Sequence, residues 1–174
     1  MSNGPLPKKA DPRKLAERGA QITGIAEISA MPRLASFLCN EQGAIDVTLD
    51  FAVDEQHLRT LSGKAVGQVQ MTCQRCLEPV AVDVEAELSL AVVLNDEQAR
   101  NLPRYYDPLL VEEEDVELLP IVEDELILSL PSVPMHVDCS VKTSWGDSET
   151  VRLQQEKPNP FSVLASLKNK ADKS

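Results

Sequence analysis

Two runs of strict alternation constrain this chain more than any other feature. From Val80 to Val92 every second residue is apolar (Val80, Val82, Val84, Ala86, Leu88, Leu90, Val92), and Asp83, Glu85, Glu87 and Ser89 stand opposite them. From Ile45 to Phe51 the pattern repeats, with Ile45, Val47, Leu49 and Phe51 on one side and Asp46, Thr48 and Asp50 on the other. Successive side chains leave a strand on opposite faces, so each run specifies a strand with one dry face and one wet face. Ile22 to Ile28 and Val66 to Met71 carry weaker versions of the same alternation.

These strands are joined by turns or short polar stretches, Leu61-Ser62-Gly63-Lys64 among them, and short connections favour antiparallel pairing. Residues 55 to 61 and 95 to 101 read as single helical excursions. Ahead of the strands, Asp11 is placed to cap a short helix, with Pro12 at its first position and Gly19 just past its end. Behind them the period changes: Leu118, Leu119, Val122, Leu126, Ile127 and Leu130 form a helical stripe that Pro131 and Pro134 end. The expected fold class is α+β, an antiparallel sheet or partly open barrel with a few helices packed on it and a C-terminal helical tail.

The expected domain organisation is a flexible basic arm over residues 1–10, a single α+β domain over 11–141, a polar linker over 142–157 and a helical tail over 158–174. In the tail, Asn159 and Pro160 open a helix whose apolar stripe includes Phe161, Leu164 and Leu167, and Lys168 lies near its end. About ten residues are too few for a helix to stand alone in water, so this one must dock, on its own domain or on a partner. With aromatics at 3% of the chain, the core must be built from Leu, Val, Ile and Ala. A chain of 174 residues buries enough surface to fold without a disulfide or a metal.

Charge narrows the function classes. The chain holds 28 acids against 17 Lys and Arg, a net charge of −11, and such a chain repels the phosphate backbone of RNA overall. The distribution is uneven. Lys8, Lys9, Arg13, Lys14 and Arg18 crowd the first twenty residues, and the tail carries four lysines from Lys157 onward. Tyr105 to Val141 contains no Lys or Arg at all. No apolar run approaches the roughly 20 residues of a membrane span, and the N-terminus lacks the apolar core of a secretion signal. The expectation is a cytoplasmic protein with no membrane and no small-molecule substrate.

One constellation carries metal chemistry. Cys73-Gln74-Arg75-Cys76 and His136-Val137-Asp138-Cys139 are two ligand pairs, each with two intervening residues. That spacing lets both side chains of a turn reach one ion, and two such pairs supply the four ligands of a closed tetrahedral zinc site. The plainer alternative, loop thiols and a solvated imidazole, stays open at this point. A thioredoxin-like role is disfavoured because the CxxC runs through Glu78-Pro79 into a strand instead of opening a helix. Cys39, with no nearby partner, reads as a small buried hydrophobe. His57 and the run Glu123-Asp124-Glu125 read as solvated helical faces. With no Gly-rich phosphate loop, GxSxG or HExxH, no catalytic residue is assigned.

Cys73-Gln74-Arg75-Cys76-Leu77-Glu78-Pro79, then Ile121 to Pro131 with His136 and Cys139 following, and finally the Lys157 to Lys168 tail resemble the YceD family of bacterial large ribosomal RNA subunit accumulation proteins. The resemblance implies a role in synthesis, processing or stability of 23S ribosomal RNA. The expected partner is a large-subunit ribosomal protein or pre-ribosomal particle with the RNA contacted indirectly, and a tail that docks on it would do so through Phe161, Leu164, Leu167 and Lys168. Two other readings are direct RNA binding through the basic ends with Arg33 and Arg75, and a zinc-dependent structural or redox module. The acidic middle favours protein contacts, because an acidic chain is steered to basic ribosomal proteins.

Overall fold

A computed structural model of the chain describes residues 4–112 and 114–141. Met1–Val137 form one compact unit, and Asp138–Ser174 a second, of which only residues 138–141 are described. The linker and tail expected over 142–174, with Phe161, Leu164, Leu167 and Lys168, lie outside the described residues.

The first unit is built on a five-stranded sheet. In chain order its elements are β1 (Lys9–Ala10), α1 (Pro12–Arg18), β2 (Gln21–Glu27), a 3-10 turn (Ile28–Ala30), α2 (Pro32–Ala35), β3 (Ala44–Val53), β4 (Arg59–Thr72), β5 (Pro79–Val93), α3 (Asp96–Arg100), β6 (Asp107–Leu110), β7 (Val116–Glu117) and α4 (Leu118–Ser129). The sheet order is β2-β3-β4-β5-β6. The first three pairings are antiparallel, whereas β6 runs parallel to the end of β5. The fold is α+β as expected, with an open mixed sheet in place of a barrel or a wholly antiparallel one.

The alternation read from the sequence sets the two faces. Ile45, Val47, Leu49 and Phe51 of β3, Leu61, Ala65 and Val69 of β4, and Val84, Ala86 and Leu88 of β5 are all buried. Helix α4 packs on β5, and α1 packs on β3 and β4. Within α4, Leu118, Val122 and Leu126 recur every four residues and are fully buried, each worth roughly 1.5–3 kcal/mol of transfer from water. In α1, the Asp11 carboxylate accepts from the Arg13 and Lys14 N–H groups, and Gly19 closes the helix in a left-handed conformation.

Three local expectations are corrected. Leu61-Ser62-Gly63-Lys64 is no turn but the interior of β4, which runs unbroken for 14 residues. Gly63 is there because a Cβ would collide with the Thr48 carbonyl oxygen and Leu49 on β3. The stretch read as a helix over 55 to 61 is the β3–β4 turn followed by strand. The Asp54 carboxylate organises the turn by accepting from the Gln56 and Leu58 N–H groups, and His57 sits exposed at positive φ. Cys39 is exposed, its N–H donating to the Gln70 carbonyl beyond the start of β3.

Residues 4–10, compositionally an arm, are hydrogen-bonded along their length. Leu6 N–H donates to Ile25 O and Ile25 N–H to Gly4 O, strapping the outer edge of β2. Gly24 permits the approach, since a Cβ there would lie 2.7 Å from the Leu6 Cα. Lys9 and Ala10 then pair with β7.

The most consequential correction concerns Glu123. It lies on the buried side of α4 at 4% exposure, not on the wet face with Asp124. Its carboxylate accepts from the backbone N–H of Arg33 at 2.7 Å and of Leu34 at 3.0 Å. These are the first-turn donors of α2, whose own N-cap, Met31, offers no side-chain acceptor. Arg33 closes the arrangement, with its guanidinium on Glu123 and Asp124. Glu123→Ala is therefore expected to cost about 2–3 kcal/mol by stranding those N–H groups, while the exposed Asp124→Ala costs less than about 1 kcal/mol. Urea denaturation of both variants checks this, and equal losses would reduce Glu123 to a surface ion pair.

Candidate metal centre

The long β4–β5 hairpin ends in the tight loop Cys73 to Glu78. Cys73 N–H donates to the Glu78 carbonyl and Leu77 N–H to the Cys73 carbonyl, so the loop makes one helical turn before the chain re-enters the sheet at Pro79. Leu77 takes the left-handed conformation that lets the chain reverse. The turn brings Cys73 and Cys76 to the same side, both buried.

The segment leaving α4 folds against this loop. Gln74 N–H donates to the Pro134 carbonyl, and the Arg75 guanidinium donates to the carbonyls of His136 and Val137. His136 thereby lies over the thiols, its N–H 3.4 Å from the Cys73 sulfur and its Nδ1 3.3 Å from the Cys76 sulfur. The other ring nitrogen, Nε2, is 3.1 Å from the Pro79 carbonyl oxygen. A carbonyl can only accept, so Nε2 is the donor in that contact and Nδ1 is the ring nitrogen turned to the Cys76 sulfur. Ligating histidines are oriented by this kind of outer hydrogen bond.

The ligand atoms of Cys73, Cys76, His136 and Cys139 all lie within 4.8 Å of one another. A tetrahedron with sulfur at about 2.3 Å and nitrogen at about 2.0–2.1 Å has edges of roughly 3.5–3.8 Å, so small side-chain movements would suffice. Burial pushes the Cys73 thiol up. The backbone N–H groups of Cys76, His136 and Arg75 and the Cys76 side chain outweigh it and bring the thiol down to about 5. A thiolate is the form that binds metal. Three thiols and one imidazole make a Cys3His cluster able to hold a metal, with no fifth ligand beside it among the described residues. Both sequence pairs are thus brought together, and Cys39 is not part of the cluster.

The other residues with candidate chemistry are occupied elsewhere. Arg33 is engaged by Glu123 and Asp124, and Arg75 by the carbonyls over the thiols. Sequence reasoning missed the roles of Arg75 and Pro79 at the cluster, and no local pattern could have shown them, because the Arg75 guanidinium meets backbone carbonyls, and the Pro79 carbonyl an imidazole, about sixty residues away in sequence. Among the described residues no helix is long and apolar enough to cross a membrane.

The profile of the family described as "Large ribosomal RNA subunit accumulation protein YceD" matches residues 61–168. That span includes all four cluster residues and all but the first two residues of the β4–β5 hairpin that carries two of them. A protein of Haemophilus influenzae described by the same words is 40% identical over 174 residues, covering 98% of this chain and 100% of the relative. No solved structure matches. On both the family profile and this end-to-end similarity, the chain belongs to the YceD family of large ribosomal RNA subunit accumulation proteins.

Proposed function

We propose that this protein is a non-catalytic accessory factor in large-subunit biogenesis that sustains 23S ribosomal RNA through protein contacts. Its partner is a large-subunit ribosomal protein or a pre-ribosomal particle, and its site of action the cytoplasm. Family membership along the whole chain carries the role. The mode of action rests on charge. A net charge of −11 opposes RNA, and Arg33 and Arg75, two of the cations outside the basic ends, are engaged within the protein. In this reading Phe161, Leu164 and Leu167 of the tail anchor the partner and Lys168 flanks them.

The Cys3His cluster holds one structural zinc. Zinc there would supply a tetrahedral cross-link without catalysis, since the four protein ligands leave no position for water or substrate. Around it, the Pro79 carbonyl fixes the His136 ring and Arg75 fixes the backbone at His136 and Val137.

Three outcomes test these statements. A deletion strain is expected to show a lowered 23S to 16S ratio and fewer mature large subunits on sucrose gradients, and an unchanged ratio at several temperatures would remove the role. Purified protein is expected to bind naked ribosomal RNA weakly, with binding lost at moderate salt. A complex that survives near-physiological salt would instead establish the basic ends as an RNA site.

Elemental analysis is expected to find one zinc per chain, reduced several-fold in Cys73→Ser and His136→Ala. Zinc should be retained at neutral pH and released as pH falls toward about 5, where protons compete for the Cys73 sulfur. In the metal-free chain the depressed thiol stabilises the fold fully above its ordinary value of 9.0, and that contribution is lost as pH falls through about 5. Well under one zinc at neutral pH would leave these four residues as ordinary loop thiols and an imidazole.

A further inference from the structure

The two edges of the sheet are treated differently. At the β2 edge, Gly4 and Leu6 take up the outward N–H and C=O of Ile25. The β5 edge carries no such strap: β6 pairs only with Leu90 to Val93 and leaves Pro79 to Ser89 with β4 on one side and no strand on the other among the described residues.

The direction of each backbone group along that edge follows from the pleat. Phe51 N–H donates to Ala20 O, so the odd residues of β3 face β2 and the even ones face β4. Through the registers Thr48↔Lys64 and Gly63↔Leu88, the even residues of β4 face β3, its odd residues face β5, and the even residues of β5 face β4. Cys39 N–H on Gln70 O and Val111 N–H on Val93 O fit the same phase. The N–H and C=O groups of Ala81, Asp83, Glu85 and Glu87 therefore point away from the sheet. No hydrogen bond of the described residues takes them up.

An open edge is usually blunted by proline, a bulge or lysine. Between Ala81 and Leu88 there is no proline or lysine, and the register with β4 is unbroken. The exposed side chains along it are Asp83, Glu85 and Glu87, with Lys64 of β4 as the cation paired to Glu85 and the Gln68 amide donating to Asp83. Val84, Ala86 and Leu88 alternate with them on the buried face. A second copy pairing here would set these carboxylates against their own kind, and like charges across a ladder destabilise it. A strand alternating basic and aliphatic residues would meet both rows with the right sign and polarity.

We propose that the outer edge of β5, from Ala81 to Glu87, is a β-augmentation site for an extended basic segment of a partner protein. This rests on the reading that the chain acts through protein contacts, and it names the surface and the kind of segment. Backbone bonds supply the pairing, and Asp83, Glu85 and Glu87 select lysine or arginine at alternate positions.

The test is amide hydrogen exchange by NMR on the full-length protein, with and without a short synthetic peptide alternating lysine and valine at low salt. In the free protein the amides of Asp83, Glu85 and Glu87 should exchange fast while those of Val82, Val84 and Ala86, bonded to β4, exchange slowly. Adding the peptide should slow the first set on the order of tenfold or more, and a matching aspartate–valine peptide should not. Glu85→Pro removes an outward N–H and no bond to β4, so it should leave the melting temperature nearly unchanged and abolish peptide binding. Should that variant fail to fold, Asp83→Lys with Glu87→Lys should weaken peptide binding on the order of tenfold or more.

Protection of the outward amides without peptide would overturn the proposal, a second copy being the occupant if protection rises with protein concentration and the chain itself if it does not. Equal binding by Glu85→Pro would reduce the interaction to loose charge attraction and overturn it too. The measurement involves no ribosome, so its failure removes the edge alone, while a normal subunit ratio in the deletion strain removes the accumulation role alone.

Discussion

The hairpin of β4 and β5 is the constraint on which the rest depends. Its register runs unbroken from Thr60↔Ala91 to Thr72↔Pro79, and because side chains alternate strictly, a slip of one residue would turn Val84, Ala86 and Leu88 into water and Glu85 and Glu87 into the core. The same register fixes where the strands end. It is at that end, in the loop from Cys73 to Glu78, that two thiols turn inward, and along the far side of the same hairpin that backbone groups find no partner among the described residues.

A second set of contacts ties the helices to this frame, and it is electrostatic as much as apolar. Helix α4 lies on β5 through Leu118, Val122 and Leu126, and Glu123 between them reaches across to the start of α2. The four-residue α2 has no cap of its own, so its first N–H groups depend on a carboxylate supplied from about ninety residues later. The segment that leaves α4 then carries His136 to the thiols. Packing of α4 is thus coupled to the geometry of the cluster, since the same helix presents the carboxylate from its middle and launches the segment with the imidazole from its C-terminal end.

The acidic character has a division of labour within it. Glu123 and Asp124 neutralise Arg33, and Asp11 caps α1; these acids are absorbed by the fold. Asp83, Glu85 and Glu87 face solvent on one strand with one lysine among them. Net charge cannot separate the two groups. The second group, three carboxylates with one lysine, leaves the larger unbalanced charge at the surface, because a carboxylate balanced by its own cation contributes little field.

What the sequence alone determined was everything carried by local period and by residue type. Alternation assigned the wet and dry faces of β3 and β5, the Asp11-Pro12-Gly19 signals bounded α1, the four-residue recurrence gave α4, and two ligand pairs with matched spacing named the cluster. Tertiary structure decided what depends on partners far along the chain. Local pattern put a turn at Gly63, whereas the close approach of β3 demands glycine inside a strand. It placed Glu123 in water, but α2 needed an acceptor there. Cys39 was expected inside, and packing left it exposed. The parallel seat of β6, and with it the open length of β5, had no trace in the local sequence. A strand's pattern records which face is buried, not which neighbour pairs with its edge, because every residue but proline offers the same backbone donor and acceptor.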